Sequence, residues 1–232
     1  MKQIFHRIAL LILIACMFGA VSAQWTQVGS DINGEAAGDF VDAVAMSSDG
    51  RRVIIGAPGN DGSFALAGHA RVFEEIAGAW VQVGSDIDGE AANDLSSSFV
   101  AISGDGTHVA VTAAQNDGNG NASGHARIFE EVAGVWIQIG SDIDGLAAND
   151  LLQSVELSFD GSRVVVGSPG NDLGGNGVGL VRVFEDVAGV WTQVGSNLLG
   201  EDLDDAYGCE VSMSSNGQRI AISSSKDRKS VV

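Results

Sequence analysis

Oxygen-bearing side chains alternate along a loop that occurs twice in the N-terminal half of the chain. In the first copy, Asp31, Asn33, Glu35 and Asp39 occupy loop positions 1, 3, 5 and 9, and a second copy 55 residues later keeps this spacing. Calcium takes several hard oxygen ligands, often from one short loop, so the alternation predicts a calcium site in each copy. The candidate metal ligands are Asp31, Asn33, Glu35, Asp39, Asp86, Asp88, Glu90 and Asp94.

Later copies of this loop lose the alternation. Leu146 stands at the fifth position of the third copy, and the fourth copy begins with Asn197 and Leu198. Ala36 occupies the sixth position of the first copy, where calcium loops favour glycine. The alternative interpretation is an Asx-rich turn whose side chains cap their own backbone. Calcium is therefore the candidate cofactor, and the first two loops are its candidate sites.

A second polar loop also recurs, as Asn60-Asp61-Gly62, residues 116–121 and Asn171-Asp172. Its composition suits a ligand or cation site and is equally typical of a connecting turn, which is the interpretation we favour.

Residues for catalysis are sparse. His69, His108 and His125 all occupy repeat positions, so we interpret them as repeat variants and not as general bases. The sequence has no Gly-x-Ser-x-Gly elbow, no His/Cys cluster and no phosphate-binding loop. Asp42 and Glu156 differ between repeats, and the alternative of a carbohydrate-active enzyme on a propeller scaffold rests on them. We expect a protein that is not an enzyme.

All these residues lie within a sequence that repeats internally. Trp25, Trp80, Trp136 and Trp191 recur at spacings of 55, 56 and 55 residues, and each opens a phrase similar to WTQVGSDINGE. Residues 24–232 therefore contain about four units, which start near these tryptophans, and the last unit is incomplete. A row of tryptophans can stack on carbohydrate, but its recurrence in every unit favours packing between units.

Each unit is predicted to contain four short strands. In the first full unit these are residues 44–46, 52–56, 70–74 and 80–83, and the fourth strand of the preceding unit is residues 25–28. Asp49-Gly50 between the first two strands predicts a type I′ hairpin turn, because these residues accept positive φ angles. The strands are too short and too rich in glycine for helices.

Continuous apolar runs indicate strands that are buried on both faces. Val53-Ile54-Ile55 and residues 164–166 do not alternate with polar residues, as a half-exposed sheet would. Four-stranded blades packed radially on one another provide this burial. We therefore predict an all-β fold of β-propeller-like blades, each with four antiparallel strands, with a β-solenoid as the alternative.

One phrase of the repeat resembles a known family. It runs from Val44 through Asp49-Gly50 to Pro58, continues from Gly68 to Phe73, and resembles the FG-GAP repeats of β-propellers, as in the integrin α-subunit head and secreted bacterial and algal proteins. The resemblance implies a propeller, often seven-bladed, used in extracellular binding or adhesion. The family's calcium loop between the first two strands is replaced here by the tight Asp49-Gly50 turn.

The N-terminus resembles an export signal. Lys2 and Arg7 precede the apolar residues 8–18, and the small residues at 21–23 suit cleavage, so residues 1–23 are predicted to be a signal peptide. A lipid anchor at Cys16 is the alternative, and both interpretations place the protein outside the cell or at its surface. No later stretch is long and apolar enough for a transmembrane helix.

The net charge of the chain limits the classes of partner that it can bind. The chain has 12 basic and 30 acidic residues and a net charge of −18, which repels nucleic acid and anionic lipid. An extracellular protein or a carbohydrate is the expected partner. Residues 226–232 depart from the repeat, which suggests a truncated propeller whose open blade edges favour self-association.

The sequence thus predicts an exported, non-enzymatic repeat protein for extracellular recognition or adhesion, assisted by calcium. The alternatives are the carbohydrate-active enzyme named above and a purely structural segment of a longer surface protein.

Overall fold

The computed structural model describes residues 25–225 of a chain that divides into two compact units, Met1–Ser30 and Asp31–Val232. The predicted signal peptide, the lipid site at Cys16 and the divergent residues 226–232 lie outside the described residues. In the first unit, residues 25–28 form no strand, so the strand predicted at Trp25 is wrong. The equivalent Trp80 pairs with Glu75, and the counterpart of Glu75 precedes the described residues.

The second unit consists of three five-stranded antiparallel sheets and a two-stranded hairpin. We name the sheets blade 1 (β1–β5), blade 2 (β6–β10) and blade 3 (β11–β15), and the hairpin β16–β17 the fourth-unit hairpin. The strands are β1 Ala43–Met46, β2 Arg52–Ala57, β3 His69–Ile76, β4 Ala79–Gln82, β5 Ile87–Asp88, β6 Val100–Ile102, β7 His108–Ala113, β8 His125–Val132, β9 Val135–Gln138, β10 Ile143–Asp144, β11 Ser154–Leu157, β12 Arg163–Ser168, β13 Leu180–Asp186, β14 Trp191–Gln193, β15 Leu198–Leu199, β16 Tyr207–Met213 and β17 Ile220–Ser224.

The predicted fold class is confirmed: the chain is an all-β protein built of propeller-like blades. Across residues 25–225 there is no helix long and apolar enough to cross a membrane.

The turn between the first two strands differs from the predicted type I′ turn. Gly50 has a φ of 73°, but Asp49 does not have a positive φ, and a type I′ turn requires positive φ at both central residues. The Asp49 carboxylate instead accepts hydrogen bonds from the Ser47 hydroxyl at 2.8 Å and the Arg51 N–H at 3.0 Å. These bonds stabilise a longer loop, in which the Gly50 N–H donates to the Ser47 carbonyl at 2.9 Å.

The fourth strand of each blade is split into two pieces along the edge of the third strand. In blade 1, β4 pairs with residues 73–76 of β3, and β5 pairs with His69 and Ala70 at the other end of the same strand. Asp86 lies in the interruption between these two pieces, close to His69, the first residue of β3. Blades 2 and 3 repeat this arrangement with β9–β10 and β14–β15.

The hydrophobic core lies between the blades. β1 contacts β6, β6 contacts β11 and β11 contacts β16, so the first strands of successive units are neighbours. Ile54 and Val72 of blade 1 belong to one cluster with Val109 and Phe129 of blade 2, and a second cluster joins blades 2 and 3. Residues 53–55 and 164–166 are all buried, as their continuous apolar runs predict. Each such side chain stabilises the fold by roughly 1.5–3 kcal/mol when fully buried.

Tryptophan side chains join adjacent blades. The indole N–H of Trp136 in blade 2 donates to the Val83 carbonyl of blade 1, and that of Trp191 in blade 3 donates to the Ile139 carbonyl of blade 2, both at 2.9 Å. The predicted packing role is therefore confirmed for these two residues.

Candidate metal centres between the blades

Two of the eight predicted calcium ligands are buried acceptors for protein hydrogen bonds. Asp39 accepts from the Ala36 N–H at 2.8 Å, and this backbone hydrogen bond lowers the pKa of Asp39. Asp94 accepts from the side-chain amide of Asn116 at 2.9 Å. These carboxylates hold the connections between blades, as the alternative of a capped turn predicts.

The remaining predicted ligands do not converge on one point within each loop. Asp31, Asn33 and Asp88 have exposed side chains, and Asp88 lies in β5 and not in a loop. The carbonyl groups of Asn33 and Asp88 each accept a hydrogen bond at 2.6 Å, from Arg71 and Arg127 respectively. Glu35, Asp86 and Glu90 instead approach histidines of the third strands.

The Asn-Asp loops behave as connecting turns. Asn60 accepts from the Gly62 N–H at 2.7 Å, and Asp61 accepts from the Leu66 N–H at 2.7 Å. Asn171 donates to the buried Asp150 at 2.8 Å, in the same way as Asn116 donates to Asp94. The side chains at the head of each loop therefore stabilise the turn and its junction with the preceding blade.

The first cluster of potential metal ligands consists of Glu35, His69 and Asp86. His69 is the first residue of β3 and is 1% exposed. Its Nδ1 lies 3.6 Å from a carboxylate oxygen of Asp86 and 3.9 Å from one of Glu35, which is beyond hydrogen-bonding distance. Its Nε2 is buried and has no hydrogen-bond partner. The two carboxylates therefore approach the ring at Nδ1 and not at Nε2.

The second cluster repeats the first one blade later. Nδ1 of His125 lies 3.6 Å from Asp142 and 3.8 Å from Glu90. Burial is the main cause that lowers the pKa of His125, although the nearby Asp142 acts in the opposite direction. A lowered pKa favours the neutral imidazole, which is the form that binds metal ions.

Both clusters have the spacing of a metal centre. In each, one atom from every member lies within 4.8 Å of the others, and these are the two such groups of histidine, cysteine and acidic residues found across residues 25–225. Tetrahedral ligands at about 2.1 Å from zinc are separated by about 3.4 Å, so small shifts of the exposed glutamates would close either cluster on an ion. Imidazole with carboxylate suits zinc and other divalent transition metals, whereas calcium prefers oxygen ligands alone.

Each cluster contains a buried arginine on its blade side. Nη1 of Arg71 lies 3.6 Å from Glu35, and Nη1 of Arg127 lies 3.5 Å from Glu90. Both guanidinium groups also lie over the phenylalanine two residues later in the same strand, at 5.4 and 5.5 Å from the ring centroid. The arginine therefore orients the glutamate towards the histidine and offsets part of the cluster's negative charge.

At the joint between blades 2 and 3, all three ligand positions change together. Leu146 stands where Glu35 and Glu90 stand in the earlier copies, Leu180 replaces the histidine, and Asn197 replaces the aspartate. The surrounding scaffold is retained, because Arg182 still donates to the Asp144 carbonyl and Trp191 still joins the blades. Simultaneous loss of three positions that meet only in the folded chain indicates that they work as a unit.

Sequence reasoning missed His69, His125 and Asp142 as members of these clusters. The signal was present in the repeat register: the histidine is lost in the same unit that loses the loop glutamate. The three positions come from two successive copies of the loop and from a third strand between them, so only the pairing of β5 with β3 brings them together.

The carboxylates considered for catalysis do not form a pair. Asp42 is exposed before β1, and Glu156 lies in β11, two blades away. His108 contacts the Thr107 hydroxyl at 2.9 Å, at the start of β7.

Solved structures with a similar fold are propeller-like proteins. One, from Bacteroides uniformis ATCC 8492, carries the provisional name 6-phosphogluconolactonase and aligns with a TM-score of 0.53 and 15% identity, over 78% of this chain and 46% of that one. A functionally unknown protein from Desulfotomaculum acetoxidans DSM 771 aligns with a TM-score of 0.51 and 13% identity, over 79% and 49%. At these identities the likeness shows the fold alone, and this chain spans less than half of either structure. No family model matches the chain, and no curated protein matches it significantly.

Proposed function

We propose that this chain is an exported, non-enzymatic propeller-repeat module for extracellular recognition or adhesion, in which divalent metal ions tie a blade to the connection that enters it. The observation that carries the metal-binding role is the duplicated cluster of glutamate, histidine and aspartate, at Glu35, His69 and Asp86 and again one blade later. Each cluster takes its glutamate from the connection that enters a blade and its other two ligands from the blade itself. A bound ion would therefore cross-link neighbouring segments.

The proposals of export and of extracellular recognition rest on observations other than the metal clusters. The basic and apolar residues before position 24 resemble a signal peptide, and a net charge of −18 suits a soluble protein whose ligands are cations, basic proteins or neutral carbohydrates. The resemblance to FG-GAP repeats supports extracellular binding. Fold alone does not define activity, because propellers carry many unrelated functions.

Metal binding is tested by titrating the chelator-treated protein with Zn²⁺, Mn²⁺ and Ca²⁺ while the bound equivalents and the melting temperature are measured. We expect two equivalents of Zn²⁺ and a rise in melting temperature, because an ion that binds the native state stabilises it. His69→Ala and His125→Ala should each remove one equivalent. His108→Ala is the matched control, since this histidine lies outside both clusters, and should keep both equivalents.

The titration with Ca²⁺ distinguishes calcium loops made of oxygen ligands alone from the mixed histidine–carboxylate centres. If Ca²⁺ binds to the alternating loops as oxygen ligands alone, its affinity will not depend on either histidine, and the mixed imidazole–carboxylate centres will be contradicted. Absence of a Zn²⁺-dependent change in melting temperature would contradict the cross-linking role itself.

A further inference from the structure

The joint between blades 2 and 3 contains an open cleft of 420 Å³. Its blade 2 wall is formed by the segment from Gly140 to Leu146, which includes Asp142 and Asp144, and its blade 3 wall includes Arg182 and Trp191. The same elements meet at the preceding joint, where the Glu90 side chain occupies the corresponding position and lies 3.5 Å from Arg127.

The cleft lies where the repeat replaces a glutamate by Leu146. Leu146 occupies the position equivalent to Glu90, but its side chain is 44% exposed and carries no charge. Arg182 is 6% exposed, lies 5.2 Å from the centroid of the Phe184 ring and donates to the Asp144 carbonyl, so its guanidinium is held as Arg127 is held. The glutamate carboxylate that faces the arginine at the entrance to blade 1 and at the joint between blades 1 and 2 is missing here. Burial lowers the pKa of Arg182, and the nearby Asp150 and Asp144 act in the opposite direction.

The residues that line the cleft suit a ligand that carries other groups in addition to a negative charge. Asp142 and Asp144 line the same space. A bare anion would be repelled by these carboxylates, whereas a ligand that also carries hydroxyl groups can donate hydrogen bonds to them. The half-buried Trp191 adds an aromatic wall of the kind that packs against the apolar face of a ring.

We propose that this cleft binds an acidic sugar of the uronic acid class. The ligand carboxylate takes the place of the missing glutamate beside Arg182, the ring hydroxyls donate to Asp142 and Asp144, and the ring packs against Trp191. This assignment rests on the recognition role proposed above and names its ligand class. It does not rest on the metal centres, although Asp142 contributes to both sites.

The test is a titration of the intact protein with sodium glucuronate and sodium galacturonate, followed by calorimetry and ligand-detected NMR. Glucose and acetate serve as matched probes that carry only the hydroxyl groups or only the carboxylate. All titrations are run with chelator and again with Zn²⁺, so that a failure of the metal centres is seen separately. We expect at least one uronate to bind about tenfold or more tightly than either glucose or acetate.

Two variants test the origin of the cleft. Leu146→Glu restores the internal partner of Arg182, so it should abolish uronate binding while the melting temperature is maintained or raised. Glu90→Leu should open the equivalent space beside Arg127 and add a second binding equivalent in chelator. Equal binding of uronate and glucose, equal binding of uronate and acetate, no uronate binding by the wild-type protein, or uronate binding unchanged by Leu146→Glu would each overturn the proposal.

Discussion

At the residue scale, each proposed metal centre depends on how its aspartate is oriented. The side-chain amide of Gln82 donates to one oxygen of Asp86 at 2.7 Å, and Gln138 does the same to Asp142. The other carboxylate oxygen is the one that approaches the histidine. The glutamine thus fixes which oxygen is offered to an ion, as hydrogen bonds from a second shell of residues commonly do in metal sites.

The joint between blades 2 and 3 retains this supporting glutamine, so a metal centre could be introduced there by substitution. Gln193 donates to Asn197 at 2.9 Å in the equivalent position. The triple variant Leu146→Glu, Leu180→His and Asn197→Asp should therefore create a third metal centre, and calorimetry should show three equivalents of Zn²⁺ in place of two. Leu180→His alone is the control and should remain at two. A triple variant that folds but binds no additional ion would show that the three residues do not suffice.

Glu156 is a second residue whose surroundings decide its behaviour. It lines a cavity of 170 Å³ with Met46, Ile102 and Met213, where the first strands of the units meet, and burial raises its pKa above the ordinary value of 4.5. The folded protein therefore binds this proton more tightly than the unfolded chain does, and stability falls as the pH rises above 4.5 through the raised pKa.

Removing the charge of Glu156 should consequently stabilise the protein near neutrality. Glu156→Gln is expected to raise the melting temperature at pH 7, and the difference from wild type should disappear on acidification below pH 4.5, where the wild-type side chain is also neutral. Thermal unfolding across this pH range measures the effect. Asp42→Asn, which changes an exposed carboxylate, should give no such difference. A lower melting temperature for Glu156→Gln at pH 7 would indicate a stabilising role for the charge.

At the element scale, the strands that form local hairpins were predictable from the sequence. The apolar run at residues 53–55 and the glycine turn before it specify β1 and β2, because these strands are close in sequence and pair directly. The split of the fourth strand was not predictable. β5 contains only two residues, and their strand conformation depends on pairing with an earlier strand: Ile87 pairs with Ala70 and Asp88 pairs with His69.

The same non-local pairing explains why the candidate site was only partly predicted. The alternating acidic residues were visible, and Glu35, Asp86 and Glu90 do belong to the clusters. Their histidine partners were assigned to the scaffold because they recur at one strand position. Sequence spacing alone suggested that each loop would fold around its own ion, whereas pairing of β5 with β3 directs successive loops towards a shared histidine.

Glycine positions determine how closely the blades approach each other. Gly124 has a φ of 71°, and a Cβ atom there would lie 2.6 Å from the backbone nitrogen of Leu152, which leads into blade 3. Gly134 has a similar φ of 83°, but a Cβ atom there would meet nothing within 4 Å. The two glycines therefore share a conformational requirement and differ in steric contact.

Alanine substitution at these two glycines should separate the two effects. Gly134→Ala is expected to destabilise the protein by about 1 kcal/mol, since alanine is strained at positive φ. Gly124→Ala should be more destabilising by a further 1–3 kcal/mol or so, because it also forces apart two backbones in the core. Chemical denaturation measures both variants. Equal effects would show that blades 2 and 3 separate without loss of stability.

At the scale of the described part of the unit that begins at Asp31, the blades form an array in which the principal contacts join successive blades. Blade 2 is covered on both sides, by blades 1 and 3, and Val109 to Val111 of β7 are fully buried. β17 belongs to the two-stranded fourth-unit hairpin and alternates between exposed and half-buried residues. In such arrays stability is approximately a sum of blade terms and interface terms, so blade 2, which lies between two complete five-stranded blades, should be the most stable.

Native-state hydrogen exchange should therefore show a gradient along the chain. Amides of β7 and β8 are expected to exchange slowest, through opening of the whole array, while those of β17 exchange fastest among the strands, through local opening of the hairpin. Zn²⁺ should slow exchange at the entrance to blade 1 and at the joint between blades 1 and 2, where both proposed centres lie, and leave β17 unchanged. Uniform protection from β1 to β17 would instead mean that the units open together, and the nearest-neighbour description would then be wrong.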